Sequence, residues 1–395
     1  MRILFITGEF PPMQGGMGDY TRQIGLALAD LGCQVHVLTS DQAGPVDRLT
    51  VHPVVRRWNW GCWRTILDRV RQVQPEVIHI QYQAAAYGLH PAVNFLPWRV
   101  RRLGAHRPHL VVTFHDLRVP YLFPKAGPLR RWVVNQLARG SDAAITTNRE
   151  DFESLRRALS PPASPVSGLF LIPIGSNIQP RRPADYDRRA WRARWGAGPA
   201  DFLICFFGFI NERKGVETLL HAVHRLVTDP SCPVHPRLLF IGGQTGASDP
   251  TNIAFLGRIQ SLISELELEP YTRWTGYIPE EEVSASFWAS DLCVLPFRDG
   301  VSFLHGTLHA ALAHGMPILT TYPRVHLPEL VHGENIFLVP PDQPPALAEA
   351  ILHLAGASEL RSWLGAGAQA LSEQFRWDKI AADTLQLYRT FRQRG

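Results

Sequence analysis

The chain contains 395 residues, of which 45% are hydrophobic and 19% are charged. This composition excludes a disordered protein, and the length exceeds what one hydrophobic core organises, so we expect two domains. Residues 1–175 hold 20 basic and 12 acidic side chains, a net charge of +8, whereas residues 176–395 hold 20 and 23, a net charge of −3. The first half is therefore expected to face an anionic partner, such as a phosphorylated ligand, a membrane surface or nucleic acid.

Short apolar runs alternate with segments of helical periodicity along the first half. The predicted strands are Ile3–Thr7, Gln34–Thr39, Val77–Gln81, His109–Phe114 and Ala143–Thr147. The predicted helices are Asp19–Leu31, Trp63–Gln72, Pro91–Leu103 and Pro128–Arg139. Strands that are separated by helix-length segments predict right-handed crossovers and a parallel sheet.

The same alternation begins again after a stretch rich in proline and arginine, Pro180–Trp195. The strands predicted there are Phe202–Phe207, Leu238–Gly242, Arg273–Thr275, Leu292–Pro296 and Pro317–Thr321. The helices predicted there are Val216–Val227, Arg258–Glu267, Glu281–Trp288, Gly306–His314, Pro345–Ala355, Ser358–Phe375 and Trp377–Arg392. We therefore predict an α/β protein with two Rossmann-like, doubly wound domains (1–178 and 201–376), a linker (179–200) and a final helix (377–395) that returns to the first domain.

The spacing of particular residue types argues against metal, redox and membrane-spanning functions. The five cysteines lie far apart without a CxxC spacing, which favours buried thiols, and the sixteen histidines show no HExxH spacing. The five apolar positions before Gly8 are too few for a signal peptide, and no later segment could span a bilayer without a charge or a proline. We therefore expect a cytoplasmic protein without a metal or other cofactor.

The loop after the first predicted strand is rich in glycine and leads into a helix. Its residues Gly15 and Gly16 allow a positive φ and a close approach of the backbone to a ligand. In open parallel sheets, ligands lie beyond the carboxyl ends of the strands, where helix N-termini present N–H groups to anions. The loop lacks the GxGxxG spacing of a nicotinamide or flavin site, so it is either a site for another anionic ligand or only a long turn.

Six sequence blocks stand in a fixed order along the chain. They are Pro11–Leu31 with its Pro-Pro and Gly15-Gly16, Gly32–Thr39, Val111–Leu117, Ile172–Asn177, Phe207–Glu217, and Ala310–Ile318 followed by Pro328–Val331 and Gly333–Asn335. Together they resemble the family-four retaining glycosyltransferases, which have the two-Rossmann architecture called GT-B. The resemblance spans essentially the whole chain. It implies an enzyme that moves a sugar from a nucleoside diphosphate sugar to an acceptor hydroxyl, with retention at the anomeric carbon and without a metal ion.

The resemblance also implies roles for individual residues. Lys214 is expected to contact the diphosphate, and the Gly15-Gly16 backbone is expected to face it from the other domain. His115, at the carboxyl end of a predicted strand, matches the family histidine near the transferred sugar and is the predicted catalytic residue. The predicted donor-binding residues are Gly15, Gly16, Gly208, Asn211, Arg213, Lys214, Arg298, Asp299, Ser302, Gly306 and Thr307.

Two departures from the family pattern fall in the second half. Phe209 stands where the family has an arginine, so a second diphosphate cation is missing unless Arg213 replaces it. The paired glutamates of the family, eight residues apart, fall on Ser302 and Ala310, which cannot accept the same hydrogen bonds. The hydroxyl groups of Ser302 and Thr307, with the N–H groups of the following helix, are expected to bind phosphate oxygens instead.

These departures keep two alternatives open. One is a GT-B homologue that binds without catalysing and serves as a partner or scaffold. The other is an enzyme similar to the nucleotide-sugar 2-epimerases. The nucleotide, the sugar and the acceptor are not fixed by the sequence, and a lipid-linked acceptor is among the options.

Arginine and tryptophan occur side by side in three stretches of the first half, 56–64, 98–102 and 129–132. At a bilayer interface the indole ring lies at headgroup depth and the guanidinium meets lipid phosphate. These stretches therefore predict peripheral binding to an anionic membrane surface, with an ordinary solvated surface as the alternative. Nucleic acid binding is not expected, because no recognised motif accompanies the charge.

Overall fold

The computed structural model describes residues 1–13, 15–104, 107–117, 127–159, 168–243 and 250–392. It divides the chain into two compact units, one formed by residues 1–175 and 376–395 and the other by residues 176–375. Each unit contains a parallel sheet and its crossover helices. The prediction of an α/β protein with two doubly wound sheets is therefore confirmed.

The first unit is built around one parallel sheet. Its strands are β1 (Arg2–Ile6), β2 (Gln34–Ser40), β3 (Thr50–Val55), β4 (Val77–Tyr82), β5 (His109–Phe114), β6 (Ala143–Thr146) and β7 (Leu169–Leu171). Its helices up to residue 175 are α1 (Gly16–Asp30), α2 (Cys62–Val73), α3 (Leu96–Arg101), α4 (Gly127–Gly140) and α5 (Arg149–Leu159). The strand order is β3-β2-β1-β4-β5-β6-β7.

The sequence pattern does not predict β3, β7 and α5, because none of them contains a long apolar run. β3 is an edge strand with mostly exposed or half-buried residues, and it contains Pro53, which a central strand does not tolerate. β7 has only three residues, and α5 buries only Asp151 and Leu155. The helix predicted over Pro91–Leu103 begins only at Leu96, because Pro97 fits the first turn of a helix but not its interior.

The second unit repeats the same plan. Its strands are β8 (Asp201–Phe207), β9 (His235–Ile241), β10 (Thr272–Trp274), β11 (Leu292–Leu295), β12 (Ile318–Thr321) and β13 (Phe337–Val339). Its helices are α6 (Arg188–Arg194), α7 (Val216–Thr228), α8 (Pro250–Glu265), α9 (Glu280–Ala289), α10 (Gly306–Ala313), α11 (Pro344–Gly356) and α12 (Ser358–Ser372). The strand order is β10-β9-β8-β11-β12-β13.

In both sheets the strand order reverses between neighbours that are not consecutive in the chain. The reversal lies between β1 and β4 in the first unit and between β8 and β11 in the second. At such a point the connections leave the two strands in opposite directions and open a crevice beyond their carboxyl ends. The topology of the second unit thus brings the loop after β8 next to the segment that joins β11 to α10.

The segment 179–200, which the sequence predicts as a linker, contains α6 and belongs to the second unit. Arg192 of α6 is buried, and its guanidinium donates to Asp291 Oδ2 at 2.8 Å and to the carbonyl oxygens of Ala289 at 3.1 Å and Asp201 at 2.5 Å. The linker interpretation is therefore wrong for this helix. Arginines are usually exposed to solvent, but Arg192 of this helix donates hydrogen bonds to buried oxygen atoms at the ends of two strands.

The last helix, α13 (Trp377–Arg392), belongs to the first unit. Trp377 and Tyr388 join the hydrophobic core that includes β1, β2 and α1. The Tyr388 hydroxyl lies 2.5 Å from Nδ1 of His79 on β4, and Nε2 of that histidine lies 2.7 Å from Thr113 Oγ1. Burial lowers the pKa of His79 to about 3, so the ring is neutral between its two hydroxyl partners.

Two further expectations can be compared with the described residues. Four cysteines are buried free thiols, as predicted, and Cys232 is partly buried. Within the described ranges, no helix combines the length and the apolar character that crossing a bilayer requires.

Replacing Arg192 with alanine is expected to destabilise the second unit by roughly 2–4 kcal/mol, because three carbonyl oxygens lose their donor and the Asp291 carboxylate keeps only Arg188 and the Leu203 N–H as partners. Urea denaturation measures this loss. Arg189→Ala is the matched control, since Arg189 is exposed on the same helix, and we expect a change of at most about 0.5 kcal/mol. Equal, small effects of both substitutions would show that α6 contributes nothing to the fold.

Candidate functional site

Three residues of the second unit converge beyond the ends of β8 and β11. Gly208 has a φ of 101°, and a Cβ at this position would lie 2.6 Å from Thr307 Cγ2 and 2.7 Å from Lys214 Nζ. Only glycine therefore fits here without strain and without a clash. The side chain of Lys214, from the loop after β8, thus meets the side chain of Thr307, from α10, over the Gly208 backbone. We call this convergence the Lys214 site.

The ammonium group of Lys214 lies in an environment that is poor in water. Burial lowers its pKa to about 8 from an ordinary value of 10.5. Its Nζ lies 5.8 Å from the centre of the Phe206 ring, and no carboxylate among the described residues forms an ion pair with it. An ammonium that has lost water without gaining a carboxylate is stabilised by an added anion.

The N-terminus of α10 adds uncharged donors to the same place. In the part of the chain that the structure describes, the N–H groups of Gly306 and Thr307 have no backbone acceptor, and the buried Oγ1 of Thr307 has no protein partner. The first N–H groups of a helix and its dipole attract anions. Together with the ammonium of Lys214, these groups form a site suited to a phosphate.

Asn211 stands at the start of the 3₁₀ turn that carries Lys214. Its backbone carbonyl oxygen accepts the Lys214 N–H at 3.1 Å, whereas its side-chain Oδ1 is buried and has no donor among the described residues. A buried amide oxygen without a donor costs free energy, which a ligand hydroxyl or N–H can recover. The structure therefore places a buried acceptor without a donor at the start of the turn that carries Lys214.

Arg298 is predicted to bind the donor, but its guanidinium contacts carboxylates of the protein. Its Nε donates to Asp342 Oδ1 at 3.0 Å, and its Nη1 lies 3.4 Å from Glu217 Oε2 and 3.6 Å from Glu212 Oε1. Its backbone N–H donates to the carbonyl oxygen of Arg213 at 2.9 Å. These contacts indicate that Arg298 joins the end of β11 to the loop after β8, and its predicted contact with the donor stays a prediction.

Arg213 and Asp299 flank the Lys214 site in the chain. The side chain of Arg213 is exposed, and that of Asp299 is half-buried. The replacement of the missing second cation by Arg213, and the donor contact of Asp299, stay predictions.

Ser302 and His305 shape the turn before α10. Ser302 Oγ accepts the N–H of Leu304 at 3.2 Å, and the Ser302 N–H donates to His305 Nδ1 at 3.2 Å. The His305 ring stacks on Phe297 with a centroid distance of 3.8 Å. The sequence pattern does not single out His305, although its place directly before an apolar helix is the position from which side chains organise a helix N-terminus.

The two positions at which the family has glutamates carry no carboxylate here. Ser302 uses its oxygen as an acceptor within the turn, so its hydroxyl hydrogen is left to donate to a ligand. Ala310 is 1% exposed inside α10 and cannot contact a ligand. The second unit therefore retains groups that suit a phosphate and lacks the carboxylates with which the family binds hydroxyl groups.

The glycine loop of the first unit differs from expectation. Gly15 has an extended φ of −174°, and Gly16 does not have a positive φ either, so the expected positive φ is wrong, whereas the close approach of this backbone to a ligand stays a prediction. A Cβ on Gly15 would instead lie 2.1 Å from Glu9 Oε1, an oxygen that accepts the N–H groups of Met17 at 3.2 Å and Gly18 at 3.4 Å. Glu9, which the sequence pattern does not single out, thus occupies donors at the α1 N-terminus. The Cβ position of Gly16 faces open space.

His115 lies directly after β5. Its Nε2–H donates to Gln81 Oε1 at 2.8 Å, and the Tyr20 ring meets its ring edge-on at a centroid distance of 4.6 Å. Removal of water by the surrounding protein lowers its pKa to about 3, so the ring is neutral near pH 7. A neutral ring with Nε2–H engaged offers Nδ1 as an acceptor for a ligand hydroxyl. The catalytic role of His115 stays a prediction.

Neither unit shows a metal centre within the described residues: no group of three His, Cys, Asp or Glu side chains there could hold a metal ion.

Two family models match the chain. A model described as a glycosyl transferase 4-like domain matches residues 15–167, and a model described as glycosyl transferases group 1 matches residues 201–356. The two matches together cover most of the chain, and each falls within one of the two units.

Named relatives align with one part or with nearly all of the chain. A D-inositol 3-phosphate glycosyltransferase from Streptomyces bingchenggensis is 30% identical over 255 residues, which are 64% of this chain and 54% of that relative. This chain therefore spans about half the length of that relative. A GDP-mannose-dependent alpha-(1-6)-phosphatidylinositol monomannoside mannosyltransferase from Mycobacterium tuberculosis is 22% identical over 405 residues, which are 96% of each chain.

Solved structures share the fold over the whole chain. A sucrose-phosphate synthase from Thermosynechococcus elongatus gives a TM-score of 0.77 at 24% identity and covers 100% of both chains. The Anabaena protein HepE, in complex with UDP, gives a TM-score of 0.76 at 16% identity and covers 99% of this chain and 100% of its own. At these identities the likeness establishes the GT-B fold alone.

The lowered pKa of Lys214 predicts how the binding of a nucleoside diphosphate depends on pH. Below pH 8 the ammonium is already protonated, so binding needs no proton. Above pH 8 the free protein must take up a proton to bind, and the affinity falls by up to about tenfold per pH unit, because the ligand phosphates are already ionised there. Titration calorimetry with UDP and GDP at about pH 7 and about pH 9 measures this change.

Lys214→Ala is expected to weaken binding at the lower pH by roughly ten- to a hundredfold and to remove the pH dependence. Lys379→Ala, at an exposed position of α13, is the control and leaves both unchanged. Unchanged affinity in the Lys214 variant would remove this residue from the site.

Proposed function

We propose that this chain, which belongs to the family-four glycosyltransferases with the GT-B fold, transfers a sugar from a nucleoside diphosphate sugar to a hydroxyl group of an acceptor with retention at the anomeric carbon. The observation that carries the proposal is the Lys214 site: the ammonium is desolvated by the surrounding protein, and among the described residues it has no carboxylate partner and the first N–H groups of α10 have no backbone acceptor. Such a site suits the diphosphate of a nucleotide sugar.

In the proposed reaction the acceptor oxygen forms a bond to the anomeric carbon, and the bond from that carbon to the β-phosphate oxygen breaks. The proton of the acceptor hydroxyl leaves with the diphosphate. Negative charge develops on the leaving diphosphate, and Lys214, the Thr307 hydroxyl and the first N–H groups of α10 stabilise it. Because the chain supplies these groups itself, we propose a reaction that is independent of metal ions and of other cofactors.

The names of similar proteins support a nucleotide-sugar donor. The mycobacterial relative is named as GDP-mannose-dependent, and HepE has been solved with UDP and with UDP-glucose. The named relatives are transferases, and the comparisons do not favour the non-catalytic and epimerase alternatives. For this chain we propose that uncharged side chains bind the nucleotide sugar. Asn211 Oδ1 and the Ser302 hydroxyl take the place of the family carboxylates at the sugar and ribose hydroxyl groups.

Incubation with a panel of UDP-, GDP- and ADP-sugars tests the proposal without knowledge of the acceptor. We expect slow release of the free nucleoside diphosphate from at least one donor, at a rate above that of buffer alone, because water can replace the acceptor. Lys214→Ala is expected to reduce this release by roughly ten- to a hundredfold, and Lys379→Ala to leave it unchanged. Absence of both release and nucleotide binding across the panel would refute the proposed function.

We also propose that the protein acts at the surface of an anionic membrane, to which it binds peripherally from the cytoplasmic side. The support is a cluster of rings in which Phe95 contacts one tryptophan from each of the three arginine- and tryptophan-rich stretches. The Phe95 ring lies 4.8 Å from that of Trp98 and 6.0 Å from those of Trp60 and Trp132. The three tryptophans are 47–50% exposed, and we call these four residues the aromatic cluster.

The sequence around the aromatic cluster is strongly basic. From residue 77 to residue 141 it contains nine basic side chains and a single acidic one, Asp116. The guanidinium of Arg99 lies over the Trp63 ring, 5.2 Å from its centre, and Arg101 and Arg102 are exposed. Half-exposed indole rings next to guanidinium groups suit the interface of an anionic bilayer.

Flotation with vesicles tests this part of the proposal. We expect recovery with vesicles that contain anionic lipid, release by salt, and little recovery with neutral vesicles. Replacing Arg56, Arg57 and Arg64 with glutamine removes about 3 kcal/mol of attraction, or roughly a hundredfold in partitioning, while nucleotide affinity stays unchanged.

The control variant replaces three exposed basic residues outside the three stretches, Arg189, Arg225 and Lys379, with glutamine. It loses the same total charge and is expected to bind vesicles nearly as well as the unmodified protein. Equal recovery with anionic and neutral vesicles, or equal losses in both variants, would show that the arginines form only a solvated surface.

A further inference from the structure

A buried amide lies near the end of a central strand of the first unit. Gln81 is 0% exposed in β4, a strand whose six residues are all buried. Its side-chain Nε2 has no acceptor among the described residues. A buried donor without an acceptor costs free energy, and an apolar side chain at this position would avoid that cost. The packing of the sheet therefore does not account for a glutamine here.

The side chain of Gln81 has one hydrogen-bond partner in the part of the chain that the structure describes, which is His115. Gln81 Oε1 accepts the His115 Nε2–H at 2.8 Å. Both main chains are held by the same parallel ladder. Gln81 pairs with Thr113 in the register of β4 and β5. The backbone N–H of His115 donates to the carbonyl oxygen of Tyr82 at 3.0 Å, so the two side chains meet on rigid neighbouring strands.

A second element limits the rotation of the His115 ring. Tyr20 of α1 is 3% exposed, and its ring meets the imidazole edge-on. The ring of Trp377, the first residue of α13, lies 5.2 Å from that of Tyr20 and is almost as deeply buried. An imidazole that is bonded at Nε2 and packed against a buried ring keeps one orientation.

The partner of one imidazole nitrogen decides what the other nitrogen can do. Because Nε2–H is donated to Gln81, the neutral His115 ring carries a lone pair on Nδ1. His115 is half-buried, and no described residue bonds to its Nδ1. Burial lowers the pKa of His79 and raises that of Tyr20, so both neighbours are uncharged near pH 7. An amide, unlike a carboxylate, also adds no charge that would favour the imidazolium.

We propose that Gln81 is the positioning residue of His115. It keeps the proton of the ring on Nε2 and leaves Nδ1 as an acceptor, so that a neutral His115 can bind a hydroxyl group of the substrate. This inference rests on the proposed function for the substrate, but the tautomer of His115 is measurable by itself. If Gln81 were only structural, an apolar side chain of similar size could replace it without any change at His115.

The tautomer is measured by ¹⁵N NMR of the full chain labelled at histidine. The His115 signals are identified by their loss in His115→Asn. In the unmodified protein we expect a neutral ring near pH 7 with its proton on Nε2, because the amide oxygen of Gln81 accepts that proton. A proton on Nδ1, or a charged ring near pH 7, would overturn the inference.

Gln81→Met keeps a side chain of similar size and removes the amide. We expect the NMR spectrum to show both tautomers of His115. We also expect the slow release of nucleoside diphosphate from the donor to fall by roughly ten- to a hundredfold, because the ring is no longer held in one geometry. The affinity for UDP and GDP, which reports on the Lys214 site, is expected to stay unchanged. A single tautomer together with full release in this variant would refute the role of Gln81.

Gln81→Glu retains an oxygen acceptor and adds a negative charge. The carboxylate is expected to keep the proton on Nε2 and to raise the pKa of His115, as in other pairs of a carboxylate and a histidine. A titration of His115 between about pH 5 and about pH 8 should then appear, which the unmodified protein lacks. At a saturating donor concentration, release should recover as the pH rises through this titration, since only the neutral ring is an acceptor. Behaviour identical to that of Gln81→Met would contradict the proposal.

The matched control is Thr113→Val, which removes the hydroxyl partner of His79 from the neighbouring strand and leaves the contact between Gln81 and His115 in place. We expect the His115 tautomer, the nucleotide affinity and the release to stay unchanged. Equal effects of Thr113→Val and Gln81→Met would overturn the inference, because they would report only a loosened core. Absence of release from the unmodified protein would contradict the proposed function alone, and the NMR measurements would still decide the role of Gln81.

Discussion

The site in the second unit depends on one electrostatic constraint. The ammonium group of Lys214 lies close to the N-terminus of α10, and no carboxylate among the described residues lies between them. The positive end of the α10 dipole and the charge of Lys214 disfavour one another, and burial adds to the cost. An anion that enters this point relieves both effects. Ligand binding and the local stability of the β8 and β11 ends are therefore coupled.

Arg298 explains why Lys214 has no carboxylate partner in the part of the chain that the structure describes. Glu212 is only two residues before Lys214 in the chain, and Glu217 is three residues after it, yet both carboxylates lie within 3.6 Å of the Arg298 guanidinium. A third carboxylate, Asp342, pairs with the same group. The acidic side chains near the loop are thus drawn to Arg298, and the ammonium of Lys214 remains available for a ligand. The pairing of Arg298 with these carboxylates therefore sets the charge around Lys214.

Most of the fold was predictable because buried parallel strands appear as continuous apolar runs. Each element that the sequence pattern missed was missed for a different reason. β3 is an exposed edge strand, β7 has only three residues, and α6 is rich in arginines, of which Arg192 is buried. At the site, sequence motifs indicated Gly208, Lys214 and Thr307, which the structure brings together. Motifs could not reveal that Arg298 pairs with three carboxylates, because that pairing joins residues 44 to 86 positions apart.

The glycine loop shows a second limit of sequence reasoning. Gly15 fits the motif, but its lack of a Cβ serves an internal carboxylate, Glu9, rather than an unusual backbone angle. Burial raises the pKa of that carboxyl, while the two N–H groups of α1 oppose the shift. An anion that approaches the α1 N-terminus therefore meets donors that are already engaged. The two units thus differ in electrostatic character: among the described residues the Lys214 ammonium has no carboxylate partner, whereas the Glu9 carboxylate accepts the N–H groups of Met17 and Gly18 at the start of α1.

The position of α13 has a consequence for the order in which the protein can fold during synthesis. The second unit is a continuous stretch, residues 176–375, and its core is complete once that stretch has left the ribosome. The first unit gains Trp377 and Tyr388 for its core only when the last helix has been made, although its other 175 residues are made first. Its core is therefore completed after that of the second unit, against the usual N-to-C order of domain folding. During that interval the nascent chain exposes the apolar face of β1 and α1 on which α13 finally packs, which is a natural binding surface for chaperones.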